Sequence, residues 1–452
     1  MPTPSPETLQ DWLLERPEIR TIRVAAADLN GQARGKSLPA RFADKPIGGG
    51  TRFPLSVLNV DIMGNDIEGS PLVFETGDAD GVLRPTERGF VPMPWLEAPA
   101  ALLPLWMFHE DGTPFEGDPR HALAGVLARF SARGLHPVCA TELEFYLIDD
   151  SGDTLRPPAS PRSGKRREGA DILSLRALDG FERFFNDLYD ACEAMDIAVE
   201  TVSSEAGAGQ FEINLKHSDD VLKIADDTWL FKLMVQGLAR RHGFAASFMA
   251  KPYPDLSGSG MHLHFSMNDD AGRNLFDDGG PEGSALLRQA VAGCLAAMGD
   301  TMLLLAPHAN SYERLVPGAH APTGISWSYE NRTAALRIPS GSHKARRIEH
   351  RAAGGDINPY LMIAGVLGSA LIGIEDALDP PAPISGNAYD LDLPQLPADW
   401  DAAMARFDES AAMARVFPAQ LIDNLLRTKR QEKRLLAEMS PRAVIDLYLD
   451  TV

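Results

Sequence analysis

Alternation of apolar and polar side chains, with the period of two that a half-buried β-strand requires, recurs along the chain. The first such segment, residues 19–29, ends at Asn30-Gly31, a dipeptide typical of tight turns, so residues 34–39 are expected to form its partner strand. Gly, Pro and Asp are frequent between residues 40 and 84, which predicts loops and short strands. Strand-like runs then continue to residue 105. The remaining predicted strands cover residues 138–148, 210–216, 261–267, 334–338 and 346–351.

Helical spacing of apolar residues is concentrated in the second part of the chain. Asp118 followed by Pro119 has the N-cap and first-turn chemistry that begins a helix over residues 121–133. A domain boundary is therefore expected near residue 110, which divides the chain into 1–110 and 111–452. Beyond this boundary, strands and helices alternate irregularly. The other predicted helices cover residues 180–195, 219–242, 283–298 and 358–374.

The composition is that of a globular protein with a surplus of acids. Lys and Arg number 43 and Asp and Glu number 63, and the resulting net charge of −20 argues against binding of nucleic acid. Basic residues in segment 151–168 are not interleaved with aromatic ones, so a solvated loop is favoured there over a nucleic-acid patch. The most apolar stretch, residues 361–374, is too short to span a membrane.

Two further features predict a cytoplasmic protein. The cysteines, Cys139, Cys192 and Cys294, are odd in number, far apart and embedded in apolar segments, which is typical of buried thiols in a reducing compartment. The first 16 residues lack the basic start and apolar run of a signal peptide.

Three predicted strands carry carboxylates or imidazoles on the face opposite their apolar residues. One such strand alone would suit a face turned to water, but together they supply four carboxylates and two histidines. Crowded carboxylates repel one another unless a cation compensates, and a set dominated by oxygen ligands suits Mg²⁺ or Mn²⁺ better than Zn²⁺. The residues are Glu142, Glu144, Glu212, His262 and His264, with Glu205 seven residues before Glu212.

A second group of residues is cationic. Arg314, Arg332 and Arg337 precede the run KARRIEHR at 344–351, in which Arg347, Glu349 and Arg351 share one face at a period of two. Such a run alone is usually a solvated face. Next to a divalent-metal cluster, however, several arginines are what transfer of a nucleotide γ-phosphoryl group requires. The chain has no G-x-x-x-x-G-K-[ST] sequence, which excludes a P-loop enzyme.

Six segments, in order, resemble the class I type of the glutamine synthetase family. They are TELEFYLID (141–149), SSEAGAGQFEINL (203–215), MAKPYPDLSGSGMHLHFSM (249–267), NSYERLVPG (310–318), ENRTAALRIP (330–339) and KARRIEHR (344–351). The resemblance implies an α+β fold, with a small β-grasp domain at 1–110 and a catalytic domain with a curved antiparallel sheet at 111–452. It also implies a homo-dodecamer of two stacked hexameric rings, with active sites between neighbouring subunits.

The resemblance also implies a role for each matching residue. In the family, the γ-carboxylate of L-glutamate attacks ATP, and an amine then displaces phosphate from γ-glutamyl phosphate. Arg332 is expected to serve the transferred phosphoryl group. The implied binding residues are Glu144, Glu205 and Glu212 for one Mg²⁺ or Mn²⁺, Glu142, His262 and Glu349 for a second, Glu200, His264, Ser266, Arg337, Lys344 and Arg347 for ATP, and Gly258, Arg314 and Arg351 for glutamate.

Two departures from the family pattern concern the amine. Where glutamine synthetases place a Glu that takes a proton from ammonium, this chain has His320, and where they carry an Asp in the N-terminal domain, it has Pro54 and Leu55. A small cation needs acceptor groups to replace its water shell, so these losses weaken the case for ammonium. An imidazole can still act as a base. One alternative is that Glu313 or Glu330 replaces the missing Glu as the base. The other is that a segment other than the one at Pro54 and Leu55 corresponds to the Asp-containing segment of the family.

These departures resemble the branch of the family that makes γ-glutamylpolyamines. The sequence therefore predicts an ATP-dependent ligase that joins glutamate to an organic primary amine, with putrescine or another polyamine favoured. Glutamine synthesis from ammonium and a catalytically silent structural or regulatory role are the alternatives. Ser257 replaces a usual Asn beside Gly258, and Tyr389 resembles a tyrosine that some members adenylylate, although an unmodified loop tyrosine is favoured.

Overall fold

A computed structural model describes residues 3–167, 169 and 171–452 of the chain. Glu168, the last residue of the loop predicted at 151–168, and Met1 lie outside the described residues. Over the described part, none of the helices combines the length and the apolarity needed to cross a membrane.

The first sheet is built from the N-terminal part of the chain, in the order β2-β1-β6-β4-β3, with β5 paired to β6. Its central strands β1 and β6 are parallel, and the other pairs are antiparallel. Its strands are β1 (Thr21–Ala27), β2 (Ala33–Pro39), β3 (Thr51–Pro54), β4 (Asp80–Pro85), β5 (Val91–Pro92) and β6 (Ala100–Phe108).

The second sheet carries the polar faces identified in the sequence. Its order is β12-β13-β14-β11-β7-β9-β8, with β10 paired to β7, and only the β12–β13 pair is parallel among those described. Its strands are β7 (His136–Ile148), β8 (Val199–Ser204), β9 (Gln210–Leu215), β10 (Ala245–Ser247), β11 (Met261–Asn268), β12 (Trp327–Tyr329), β13 (Leu336–Ile338) and β14 (Ile348–His350).

Helices cover one face of this second sheet, and α4 begins with the cap that its sequence predicts. Asp118 accepts a hydrogen bond from the Arg120 amide at the start of α4, and Asn358 caps α10 in the same way. The helices are α1 (Pro6–Leu14), α2 (Asp44–Ile47), α3 (Pro71–Phe74), α4 (Pro119–Ser131), α5 (Leu175–Gly180), α6 (Glu182–Ala194), α7 (Val221–Arg241), α8 (Ala285–Ala296), α9 (Met302–Leu305), α10 (Pro359–Glu375), α11 (Trp400–Glu409), α12 (Ala411–Val416), α13 (Ala419–Ala437) and α14 (Pro441–Thr451).

The predicted strands and helices are confirmed to within a few residues at each end, and the fold is α+β as expected. The three cysteines are free and buried, also as predicted. No element was predicted beyond residue 374, where the structure has α11 to α14. In α13, the buried Leu421, Leu425 and Leu426 recur at helical spacing among polar residues, so its sequence did carry the signal of a core-facing helix.

The division near residue 110 stays a prediction. The two sheets lie on either side of it, and a buried polar contact joins the turn after β1 of the first sheet to α13. Asn30, in the turn after β1, donates to Glu432 of α13 (2.7 Å), and Lys429 lies 3.0 Å from the other oxygen of that carboxylate. Because both Lys429 and Glu432 are buried, loss of either partner would leave an uncompensated charge.

The apolar faces of β7, β9 and β11 pack against helices, and α10 lies deepest in this core. The crossing of α8 and α10 is very close at Gly293 and Gly373. A Cβ atom at Gly293 would lie 2.2 Å from the Ser369 carbonyl oxygen, a distance that real Cβ atoms do not reach. The absence of a side chain therefore lets the two helices pack together beneath the sheet.

We predict that Gly293→Ala lowers the free energy of unfolding by about 1–3 kcal/mol, because the new methyl group must push α8 and α10 apart. Gly125→Ala is the matched control, since Gly125 lies in α4 and a Cβ there would meet nothing within 4 Å. It should be neutral or stabilising by up to about 1 kcal/mol. Urea unfolding of both variants checks this, and equal effects would contradict the close crossing.

Candidate active site

Strand register brings the carboxylates and imidazoles together on one face of the second sheet. Glu142 on β7 is directly opposite His262 on β11, and Glu144 is opposite Glu212 on β9. On the other side of β11, His264 is opposite Glu349 of β14. Directly opposed residues have Cβ atoms about 5 Å apart, so four adjacent strands concentrate these side chains in one place.

Glu142, His262 and Glu349 form a compact group. The His262 Nδ1 atom lies 3.1 Å from Glu142 Oε2 and 3.7 Å from Glu349 Oε1. Burial, and then the nearby Arg351 cation, lower the pKa of His262, so its imidazole is neutral and has a free lone pair. Two carboxylates and one neutral imidazole are a donor set that fits Mg²⁺ or Mn²⁺.

His264 lies in the same place, with Nε2 2.9 Å from Glu142 Oε1. By distance, the possible ligand groups among the described residues are Glu142 with His264 and Glu349, and Glu142 with Glu212 and His262. The predicted set Glu142, His262 and Glu349 is thus divided between these two groups. Arg347 Nε, however, donates to His264 Nδ1 at 3.0 Å. Arg347 thus occupies one ring nitrogen of His264, and the other faces Glu142. The role of His264 outside the metal set stays a prediction.

Glu144, Glu205 and Glu212 are the carboxylates predicted for the other metal. Burial raises the pKa of Glu144 to about 7, of Glu205 to about 7 and of Glu212 to about 8, and neighbouring carboxylates add to each shift. Without a cation, these groups therefore hold protons near neutral pH. Oxygen donors that repel one another in this way fit a divalent cation, whose charge would displace the protons.

The other two carboxylates are already compensated by protein groups. Burial alone would raise the pKa of Glu142, but contacts with the imidazoles of His262 and His264 hold it well below its ordinary value. Glu349 is 1% exposed and also has a lowered pKa, because His262 and Arg351 outweigh the effect of burial. Arg351 and Arg337 both donate to this carboxylate.

Two adjoining cavities open on this face of the sheet. One of about 550 Å³ is lined by the predicted ATP residues Glu200, Ser266 and Lys344, together with apolar residues such as Phe265. The other, of about 680 Å³, is lined by all six predicted metal ligands, by the predicted glutamate residues Gly258, Arg314 and Arg351, and by Arg332, Arg337 and His320. Glu142, His264 and Arg347 line both cavities. The arrangement thus suits two substrates that meet at the carboxylate cluster.

Gly258 and Arg314 are closely packed at the wall of the larger cavity. Arg314 is 4% exposed and donates to the Ala352 carbonyl at 3.0 Å, which fixes its guanidinium. A Cβ at Gly258 would lie 2.5 Å from the Ala250 carbonyl oxygen and 2.7 Å from Arg314 Cγ. Only glycine therefore fits at position 258, and its backbone can be approached closely from the cavity.

His320 lies on a loop at the mouth of the larger cavity and has a left-handed backbone (φ 59°), which is uncommon for a residue with a side chain. Ala321, the residue after His320, accepts a hydrogen bond at its carbonyl from the Tyr389 hydroxyl at 2.8 Å, which anchors this loop. Glu330 lines the same cavity, but its carboxylate already accepts hydrogen bonds from Ser340 and Arg337. Glu313 is not among the residues that line either cavity.

Pro54 and Leu55 are the predicted site residues that the structure does not bring to the cavity. Pro54 ends β3 of the first sheet, and Leu55 is buried in the core of that sheet. Within one chain, Leu55 therefore packs against other apolar residues and does not face a substrate. The neighbouring Ser56 donates to Asp78 (2.5 Å), so an acid does lie beside this segment, although it is distant in sequence.

Among the residues that line the larger cavity, Gln210, Ile172 and Leu173 were not predicted as site residues. Gln210 donates to the Gly258 carbonyl at 2.9 Å, and its Nε2 atom lies 3.4 Å from Glu144 Oε2. Its position two residues before Glu212 on β9 was the available signal, because alternate residues share a face. Ile172 and Leu173 also line the larger cavity, but they lie on a loop with no periodic pattern.

Comparison with known proteins gives one consistent result. The family model of the glutamine synthetase catalytic domain matches residues 116–445. The γ-glutamylputrescine synthetase PuuA of Escherichia coli strain K12 is 37% identical, with 94% of this chain and 92% of that protein covered. The γ-glutamylethanolamide synthetase GlnA4 of Streptomyces coelicolor is 32% identical (92% and 89% covered), and the glutamine synthetase of Thermotoga maritima is 33% identical (83% and 82% covered). Among solved structures, an ADP complex of GmaS has a TM-score of 0.83 at 29% identity, with 96% of this chain and 99% of that chain covered.

The raised pKa values predict how the metal-free protein responds to pH. In the unfolded chain Glu144, Glu205 and Glu212 lose their protons near 4.5, whereas in the folded metal-free protein they keep them to about 7, 7 and 8. The folded state thus binds more protons than the unfolded chain, and its stability falls as pH rises from about 5 to 8.

Thermal unfolding in the presence of a chelator measures this effect. Mg²⁺ or Mn²⁺ should raise the melting temperature more at pH 8 than at pH 6, because at pH 6 it must displace protons. In the double variant Glu144→Gln/Glu212→Gln both the loss of stability with pH and the effect of the cation should shrink. A stability that rises over the same pH range, or an equal response of the double variant, would contradict the assignment.

Proposed function

Because the chain belongs to the glutamine synthetase family and is an ATP-dependent ligase that joins glutamate to an amine, we propose that its amine is an organic primary amine, with putrescine or another polyamine favoured. The observation that carries this proposal is the imidazole of His320 at the mouth of the larger cavity, where no uncommitted carboxylate accompanies it among the described loop residues 318–322. The relative at 37% identity is named as a γ-glutamylputrescine synthetase, another as a γ-glutamylethanolamide synthetase and a third as a glutamate–isopropylamine ligase.

We assign the first step to residues of the larger cavity. The α-carboxylate of glutamate binds Arg314 and Arg351, and the molecule lies against the backbone of Gly258. Arg332 stabilises the charge of the γ-phosphoryl group as the glutamate γ-carboxylate attacks it, which forms γ-glutamyl phosphate and ADP. The carboxylate cluster would hold the divalent cations, which when bound would compensate the charge of the phosphate oxygens.

The nucleotide is assigned to the smaller cavity. Lys344 and Arg347 face its phosphates. Glu200 accepts hydrogen bonds from its polar groups, and the Ser266 hydroxyl can donate or accept. His264 and Arg347 line both cavities, so they lie where the transferred group must pass. Arg337 lies on the glutamate side of this passage, where it is held by Glu349 at 2.7 Å.

His320 is assigned to the second step. At neutral pH an alkylamine is protonated and is not a nucleophile until a base removes the proton. A neutral imidazole can accept that proton, after which the amine nitrogen attacks the acyl phosphate and phosphate leaves. Tyr389 positions this base through its hydrogen bond to Ala321.

Glutamine synthesis from ammonium is the second candidate. It is favoured by Glu330, an acid on the wall of the same cavity, and by the glutamine synthetases among the relatives. Against it, Glu330 is already paired with Arg337 and Ser340. A catalytically silent role has less support, because every implied metal, ATP and glutamate residue of the catalytic domain lines one of the two cavities.

We further propose that residues 1–110 form a β-grasp domain and that the enzyme assembles into two stacked hexameric rings. The buried position of Leu55 means that an amine pocket built with the N-terminal domain would use Pro54 and residues near it from a neighbouring subunit. Light scattering of the purified protein tests the assembly.

An amine panel tests the proposed substrate class. Phosphate release with glutamate and ATP should be faster, as kcat/KM, with putrescine or another organic primary amine than with ammonium. Mass spectrometry of the product should show the matching γ-glutamyl amide. If ammonium outperforms every organic amine, the proposal is wrong and the second candidate takes its place.

His320→Ala tests the proposed base. Its kcat with an alkylamine should fall about 100-fold, the effect typical of losing a general base. Activity with hydroxylamine, which is largely unprotonated at neutral pH, should change little. The matched variant Glu330→Gln should keep alkylamine activity within a few-fold, and the opposite ranking of the two variants would make Glu330 the base.

A further inference from the structure

Two large aliphatic side chains line the otherwise polar larger cavity. Among its described lining residues, Ile172 and Leu173 are the only large aliphatic ones, and the others are mostly charged, polar or small. Their exposures are also unusual, at 61% for Ile172 and 74% for Leu173. Neither side chain is thus used to fill the core, although both line the cavity that Glu205, Arg332 and His320 also line.

The segment that carries these side chains is held in place. The Leu173 amide donates to the Ser204 carbonyl at 2.8 Å, and the Ser174 amide donates to the Ser204 hydroxyl at 2.8 Å. That hydroxyl in turn donates to the Asp171 carbonyl at 2.6 Å. Because Ser204 immediately precedes Glu205, the position of the segment is coupled to the carboxylate cluster.

The backbone of Leu173 adds a second sign of a constrained position. Its φ of 54° lies in the left-handed region, which a leucine rarely adopts and which costs free energy. The hydrogen bonds to Ser204 maintain this conformation. The result is a short turn in which two consecutive aliphatic side chains, Ile172 and Leu173, both line the cavity.

We propose that Ile172 and Leu173 form the subsite for the carbon chain of the amine and so select alkylamines over ammonium; this inference rests on the proposed function. Exposed aliphatic surface gains free energy when a substrate covers it, in proportion to the apolar area removed from water. An amine with a chain of methylene groups supplies such area, whereas ammonium supplies none. The subsite therefore selects the amine, whereas the charged groups of the cavity activate glutamate.

A homologous series of amines tests the subsite in the full-length enzyme. With ethylamine, propylamine and butylamine, the KM of the wild-type enzyme should fall by about four-fold per methylene that reaches the aliphatic wall. In the double variant Ile172→Ser/Leu173→Asn this dependence should fall below about two-fold per methylene. Asn is chosen at position 173 because it tolerates the left-handed backbone. The KM values for glutamate, ATP and the chainless nucleophile hydroxylamine should stay within about two-fold of wild type.

Leu175→Ser is the matched control. Leu175 is 74% exposed, follows the same turn and does not line the cavity. It should keep the dependence of KM on chain length seen in the wild-type enzyme.

The outcomes separate this inference from the proposed function. Wild-type enzyme that uses only ammonium would overturn both. Wild-type enzyme that uses alkylamines, with an unchanged dependence on chain length in the double variant, would overturn the subsite alone. Loss of oligomer by light scattering, together with loss of hydroxylamine activity, would show that a neighbouring subunit covers Ile172 and Leu173 and would also overturn the subsite.

Discussion

Repulsion among carboxylates on neighbouring strands is the constraint on which the rest of the site depends. Glu142, Glu144, Glu212 and Glu349 lie on four adjacent strands, and Glu205 joins them from the loop after β8. Protein groups compensate part of this charge, since imidazoles contact Glu142 and arginines contact Glu349. The remainder is left to protons or to divalent cations. This incomplete compensation is what makes the cluster suited to bind cations and phosphate together.

The fold confines this concentration of charge to one face of the second sheet. The opposite face of β7, β9 and β11 is apolar and buried against helices, and the close crossing of α8 and α10 completes that core. Arg314, buried beside Gly258, contributes a fixed cation at the wall of the cavity. The features that we propose to select the amine lie on loops, namely the loop of His320 and the turn at Ile172 and Leu173, which can vary without disturbing the sheet.

The strands and their polar faces were predictable from sequence because a period of two is a local property of the chain. Glu142 and Glu144 had to share a face, as did His262 and His264. The partners across strands were not local: nothing in the sequence alone placed Glu349 opposite His264, or Arg347 on the imidazole of His264. The family resemblance named these residues, whereas the register explains their proximity.

Residues on loops were the least predictable. Leu55 was expected near the amine but is buried in the N-terminal core, while Asp78 reaches Ser56 from more than 20 positions away. Tyr389 was noted for a possible modification, and its contact with Ala321 depends on two loops that meet only in the folded chain. Such contacts follow from tertiary packing and leave no periodic signal.

The most direct test of the account is to locate Mn²⁺ by its anomalous scattering in crystals of the enzyme soaked with the ion and a non-hydrolysable ATP analogue. The account predicts two peaks on this face of the sheet, one bound by Glu142, His262 and Glu349 and the other by Glu144, Glu205 and Glu212. Peaks at other residues, or none within the larger cavity, would contradict it.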